Sequence, residues 1–165
     1  MKHLFPLIAG FTLALASCSK ESGSTRLKIR MTDAPAELEA VNIDLEAVHI
    51  KMASDSGGWF TMAARPGVYN LLDLQNGVDT LIAEGVYPHG EVKEIRLVLG
   101  ADNSVEADGK VYPLTIPSGS GSGLKIKIGK KLRTAADSLL IDFDAALSVR
   151  QENDGYKLRP VIRLK

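Results

Sequence analysis

An antiparallel, Greek-key-like β-sandwich with one or two short helical turns is the fold this sequence predicts, and three features carry the prediction. Apolar residues recur at every second position through most of the chain, the period of a half-buried strand. These runs are short, and Gly, Pro, Asn and Asp stand at the joints between them. The 3.6-residue period of an amphipathic helix is minor.

Taken in order, Leu27, Ile29 and Met31 alternate with Arg26, Lys28, Arg30 and Thr32, which predicts a first strand with one buried face. Asp33 followed by Pro35 in Asp33-Ala34-Pro35-Ala36-Glu37-Leu38 gives a capping residue and an early proline, the start of one or two helical turns. Val41, Ile43 and Leu45 resume the alternation, but its phase then switches to Val48, Ile50 and Met52. A switch inside one strand predicts a β-bulge near Glu46 and Ala47, or a strand crossing between sheets. Trp59 to Met62 reads as a strand, Tyr69 to Leu74 as a second helical turn, and Val92 to Leu99, Val105 to Ala107, Val111 to Ile116 and Leu124 to Ile128 as further strands. Two long strands close the chain. One alternates through Leu139, Ile141, Phe143, Ala145, Leu147 and Val149, the other through Tyr156, Leu158, Pro160, Ile162 and Leu164, with Asn153-Asp154-Gly155 as the hairpin turn between them. Pro160 has no N–H for a ladder, so it marks an edge or a bulge.

The chain has 165 residues, 45% of them apolar, with twenty Lys and Arg balancing twenty Asp and Glu. That balance gives no net electrostatic footprint for nucleic acid or for an acidic membrane face. It also conceals a sorting of charge. Residues 31 to 108 hold fourteen acids and four bases, residues 109 to 165 hold eleven bases and five acids, and residues 18 to 30 hold four bases and one acid. The single Cys excludes a disulfide framework and a thiolate zinc site.

That Cys has a different context. Lys2 and His3 precede eleven mostly apolar residues, Leu4 to Ala14, against the roughly 20 that a bilayer span requires, so this run reads as the core of a signal peptide. It ends in Leu15-Ala16-Ser17-Cys18, which resembles the lipobox of bacterial lipoproteins. The resemblance implies that residues 1–17 are removed and that Cys18 becomes a lipidated N-terminus, attached to membrane lipid. Ser19 is not the Asp associated with inner-membrane retention, which points to the outer membrane. Residues 18–25 then form the lipidated Cys and a polar, Gly/Ser-containing tether, and 26–165 a single sandwich domain large enough to fold without disulfides.

Across the mature chain, Thr32-Asp33-Ala34-Pro35, Gly57-Gly58-Trp59, Tyr69-Asn70-Leu71-Leu72-Asp73-Leu74, Pro88-His89-Gly90 and Ile95-Arg96-Leu97 appear in order. They are followed by Pro117-Ser118-Gly119, Ser122-Gly123-Leu124-Lys125, Leu140-Ile141-Asp142-Phe143-Asp144-Ala145 with Ser148, and Pro160-Val161. In these pieces the chain resembles a family of bacterial lipoprotein domains known as domain of unknown function 4382. The resemblance implies a β-sandwich on the cell envelope and supplies no catalytic residue.

Five residues are candidates for ligand or ion contact. Asp142 and Asp144, two apart on a strand, share a face at about 6 to 7 Å, a separation compatible with Ca²⁺ or with the carboxylate pair of a glycoside hydrolase. The stronger reading is a cross-strand ion pair, because a turn at Asp154-Gly155 puts Asp144 opposite Lys165, or one pairing step away opposite Arg163. Trp59 is a candidate sugar-stacking platform, set against the commoner fate of a lone Trp as core. Lys125 and Lys127, in the densest basic stretch, suit an anionic glycan or phosphate, set against a solvated face that balances the acidic middle strands. The Pro117 to Gly123 segment lacks the Gly-Lys-Ser/Thr of a P-loop and the Gly-x-Ser-x-Gly of a nucleophile elbow, and reads as a connection. His49 and His89, forty residues apart, make no metal set, and no cofactor is implied.

The expected function is accordingly a lipid-anchored cell-envelope domain with a non-enzymatic binding or adhesion role toward a glycan or an envelope protein. The alternatives are a glycan-processing enzyme using Asp142 and Asp144, or a surface subunit that assembles by strand exchange.

Overall fold

The computed structural model describes residues 23–54, 58–116, 123–152 and 155–165. The lipobox with Cys18, most of the tether, the Pro117 to Ser122 stretch and the turn residues Asn153 and Asp154 lie outside them. Among the described residues the chain is mostly strand, folded as two mixed sheets packed face to face. In chain order the strands are β1 (Ser24–Thr32), β2 (Ala40–Met52), β3 (Phe60–Thr61), β4 (Ala63–Ala64), β5 (Gly67–Asn70), β6 (Thr80–Pro88) and β7 (Gly90–Leu99). They continue with β8 (Ser104–Ala107), β9 (Lys110–Thr115), β10 (Leu124–Leu132), β11 (Ala136–Phe143), β12 (Val149–Glu152), β13 (Gly155–Leu158) and β14 (Ile162–Leu164). A 3₁₀ turn at Leu71–Leu74 and one helical turn, α1 (Ala145–Ser148), complete the inventory.

The first sheet has the order β14-β11-β1-β6-β4. The second runs β10-β7-β2-β8-β9-β13-β12, with β3 and β5 also paired to β2. The short strands β3, β4 and β5 alternate between sheets: β3 and β5 join β2 while β4 joins β6, which draws the two sheets together along one side.

The alternation in β1 buries Leu27, Ile29 and Met31 and leaves Arg26 and Lys28 in solvent. They meet Leu139, Ile141 and Phe143 of β11 in the core, facing Ile43, Leu45, Val48, Ile50, Ile95 and Leu97 of the second sheet. The predicted bulge in β2 is present. Leu45 is opposite Leu99 and Ala47 opposite Val98, so Glu46 is the extra residue, and the shift keeps both Leu45 and Val48 buried across the phase change.

Several expectations are corrected. Two pairings are parallel, β1 with β11 and β9 with β13, where an antiparallel sandwich was expected. Alternation specifies which face of a strand is buried and carries no information about direction. The domain takes in Ser24 and Thr25, which the sequence placed in the tether: Thr25 is fully buried and its hydroxyl donates to the Thr134 carbonyl (2.6 Å). Asp33 to Leu38 forms no helix. The run from Leu139 to Val149 is not one strand, because Asp144 caps α1, accepting from the Leu147 N–H (3.0 Å), and α1 hands the chain from β11 in one sheet to β12 in the other. The last run likewise divides at Pro160 into β13 and β14, which belong to different sheets. β6, with its Gly85 interruption, was not anticipated.

Asp33 instead serves α1 across the fold. It is buried, and Oδ1 accepts from the Ala145 N–H (2.8 Å) while Oδ2 accepts from Gln75 Nε2 (3.3 Å). Burial raises its pKa above the ordinary carboxylate value, against the lowering effect of these hydrogen bonds. With the folded pKa above the unfolded one, the folded state binds the proton more tightly. The associated stability is therefore fully present below the ordinary value of 3.8 and is lost as pH rises through the folded pKa. Urea unfolding of the wild type and Asp33→Asn across that window should show the wild type losing stability relative to the variant as pH rises. A difference independent of pH would contradict a raised pKa at Asp33.

The two ends of the molecule differ in what they carry. At the basal end, Ser24 pairs with Pro88, Gly90 with Leu132, and the Arg26 N–H donates to the Ala135 carbonyl (2.9 Å). β2 runs from its Met52–Val92 pair near this end to its Ala40–Glu106 pair at the far end, about 40 Å for its thirteen residues. The β8–β9 and β12–β13 hairpins stand at the far end.

Candidate functional site

Asp142 and Asp144 lie at the end of β11, both buried, where strand alternation and then the α1 cap turn them toward β14. Asp142 is directly opposite Arg163 in the register. Arg163 Nη2 is 3.0 Å from Asp144 Oδ2 and 3.5 Å from Asp142 Oδ2, and Lys165 Nζ is 3.4 Å from Asp142 Oδ1. Both carboxylates are thus engaged by cations of the neighbouring strand, though Lys165 meets Asp142 and not Asp144.

Around this pair the residues that carry the family resemblance form one polar latch. The Thr32 hydroxyl is within hydrogen-bond distance of the Leu74 (2.9 Å) and Val78 (2.7 Å) carbonyls, and the Asp33 N–H donates to the Leu74 carbonyl (3.0 Å). The Asp144 N–H donates to the Val161 carbonyl (3.0 Å), and the Val161 N–H donates to Ser148 Oγ (2.8 Å). The latch joins the end of β1, the 3₁₀ turn, α1 and the approach to β14. Apart from Asp142 Oδ1, which has only the Lys165 ion pair, its polar groups satisfy one another, which is a structural task.

The other three sequence candidates occupy the outer face of the second sheet. Lys125 and Lys127 are exposed on β10, with Ile126 buried between them. Lys125 is opposite Arg96, which is opposite His49, which is opposite Thr61, so one row crosses four strands. Trp59 is half-buried and outside the core, with the Arg96 guanidinium 4.0 Å from its ring centroid. Burial, then the Arg96 charge, holds the His49 pKa below its ordinary value. Lys127 is opposite Glu94, itself opposite Lys51. β10 is also an edge strand. Its lysines and a bulge at Gly129, in the left-handed region at φ 68°, are devices that block pairing with another chain.

A cleft of about 790 Å³ opens at the far end, where β9 and the β12–β13 hairpin converge. Tyr112 and Tyr156 line it with ring centroids 5.0 Å apart and planes at 50°. Thr115, Gln151, Glu152 and Lys157 surround the rings. Glu152 is hydrogen-bonded and ion-paired with Lys157, and paired with Arg159 Nη2 at 2.9 Å. The hydrogen bond from Lys157, then the two cationic charges, hold the Glu152 carboxyl below the usual range, so it is ionised at neutral pH. Gln151 and Tyr156 also border a second cavity of about 340 Å³ with Glu37, Leu38, Ala146 and Val149, between the cleft and α1. Through Ala146, α1 borders the cavity next to the cleft.

Sequence reading missed this cleft because its two tyrosines are 44 residues apart and meet through a parallel pairing. The legible signal was the alternation that places Tyr112 with Leu114 and Tyr156 with Leu158 on inward phases near strand ends. Among the described residues no group of three or more His, Cys, Asp and Glu side chains is placed to hold a metal ion.

No curated protein and no solved structure matches the chain. Residues 24–160 match the family described as "Domain of unknown function (DUF4382)", a span that runs from the first residue of β1 to Pro160 and takes in both the latch and the cleft, and the chain belongs to that family.

Proposed function

We propose that this is a lipid-anchored domain of the bacterial cell envelope, attached through Cys18 in the outer membrane, that binds a glycan in the Tyr112–Tyr156 cleft without altering it chemically. The observation that carries the ligand class is the cleft itself. Its volume lies within the roughly 300–1,000 Å³ of small-ligand sites. Two aromatic faces that stack on the apolar faces of sugar rings are ringed by a carboxamide, a hydroxyl, a carboxylate and an ammonium that hydrogen-bond to sugar hydroxyls.

Binding without turnover is supported by the state of the carboxylates. Glycoside hydrolysis needs one carboxylic acid kept protonated near neutral pH and a second carboxylate across the bond. Glu152 is pushed the opposite way, and Asp142 and Asp144 are occupied by Arg163 and Lys165. Strand-exchange assembly is disfavoured by the lysine-guarded edge at β10 and by the seating of β14 on β11.

A panel of envelope polysaccharides presented to the wild type and to Tyr156→Ala tests the reading. A glycan retained by the wild type should bind the variant about tenfold or more weakly, or about 1.4 kcal/mol. Tyr156 packs against Tyr112 and the core, so the variant should lose about 1 to 2 kcal/mol of stability yet remain folded, which urea unfolding checks. Equal retention by both proteins, or no retention of any glycan by the wild type, would count against the cleft.

A further inference from the structure

We infer that the basal end of the sandwich is a docking surface for anionic lipid headgroups, which holds the domain upright with the Tyr112–Tyr156 cleft pointing away from the membrane. The inference rests on the lipid anchor at Cys18 and deepens that reading.

Geometry brings this end to the bilayer. Five residues lie between Cys18 and Ser24, and six steps of about 3.3 to 3.6 Å reach at most about 22 Å. Ser24 is held by its pairing with Pro88, and the next residues are tied to the loop after β10 through the Thr25–Thr134 and Arg26–Ala135 hydrogen bonds. An anchor at Cys18 therefore brings the 88–90 turn and the end of β10 close to the headgroups.

Charge then favours contact. Around this end stand Arg26, Lys93, Lys130, Lys131 and Arg133. Lys130 is paired with Asp137 (3.1 Å) and Lys93 with Glu91 (3.1 Å). Lys131 is opposite the Glu91 that Lys93 already engages, and among the described residues Arg26, Lys131 and Arg133 have no ion-pair partner, and all three are exposed. The far end mixes signs: Glu37, Glu39, Asp102, Glu106 and Asp108 stand with Lys110 around the β8–β9 hairpin and the latch, and Lys157 and Arg159 there are engaged by Glu152. A domain with unpaired, exposed cations at its tethered end lowers its energy by turning that end to an anionic surface. The interaction acts within about a Debye length, roughly 8 to 10 Å.

The test uses the full lipidated chain and the charge reversal Lys131→Glu/Arg133→Glu, both in exposed positions, reconstituted on phosphatidylcholine vesicles with and without about 30% phosphatidylglycerol. Flotation reads the anchor, and amide hydrogen exchange of the floated protein reads the surface. On anionic vesicles, exchange in residues 88–92 and 130–135 should slow several-fold relative to neutral vesicles, with residues 110–115 unchanged, and the double variant should lose that protection while still floating. Flotation with equal exchange on both vesicle types overturns the docking surface and leaves the anchor standing. Failure to float overturns both.

Discussion

Cys18→Ala is expected to convert the protein from fully membrane-associated to fully soluble in cell fractionation, and to abolish its labelling by palmitate. The size of the effect follows from what else could hold the chain. The apolar run from Leu4 to Ala14 has eleven residues, about half of a spanning helix, and among the described residues no helix is long and apolar enough to cross a membrane. Attachment through Cys18, as proposed, would rest on acyl chains at one sulfur and one amine, each buried CH₂ contributing about 0.8 kcal/mol. Basal cations alone, at roughly 1 kcal/mol each near an anionic surface, do not retain a protein through washing in salt. Continued pelleting with membranes of a Cys18→Ala protein from which residues 1–17 have been removed would refute the anchor.

Arg163→Ala is expected to lower the stability of the fold by about 3 kcal/mol, the scale for removing one partner of a buried ion pair. The cation is half exposed, but both carboxylates it serves are buried. Without it, Asp144 loses its side-chain cation and Asp142 keeps only Lys165, whose Nζ is 3.4 Å from an Oδ1 that makes no hydrogen bond among the described residues. The cost then lies in two charges buried without adequate compensation. Asp142→Asn in the Arg163→Ala background should therefore recover part of the loss, measured by urea unfolding, because it removes one of those charges. Arg163→Ala with unchanged stability would mean that the ion pairs are incidental, and would reopen the carboxylates for chemistry.

Much of the fold was legible in particular residues. Leu27, Ile29 and Met31 announced β1, and the phase change between Leu45 and Val48 announced the bulge at Glu46, because a buried face must be kept continuous whatever the backbone does. Direction and breaks were less legible. Leu139 through Val149 alternates without interruption, and Asp144 gives no sign in that pattern that it leaves the strand to cap a helical turn. Asp33 was recognised as a capping residue, correctly in kind, but the N–H it satisfies belongs to Ala145, 112 positions away. The site was least legible. Trp59 and Lys125 do converge on one face through Arg96, whereas the far-end cleft is built from Tyr112, Gln151 and Tyr156, which share no local motif and meet only when β9 and β13 pair in parallel.

The central claim is that the far-end cleft holds a glycan and leaves it intact. Its most direct test is prolonged incubation of the wild type and of Tyr112→Ala/Tyr156→Ala with a retained polysaccharide, followed by measurement of both the bound fraction and the chain length of the recovered glycan. Binding by the wild type, loss of binding by the double variant, and glycan of unchanged length in both are expected. Shortened glycan with the wild type, or undiminished binding by the double variant, would contradict it.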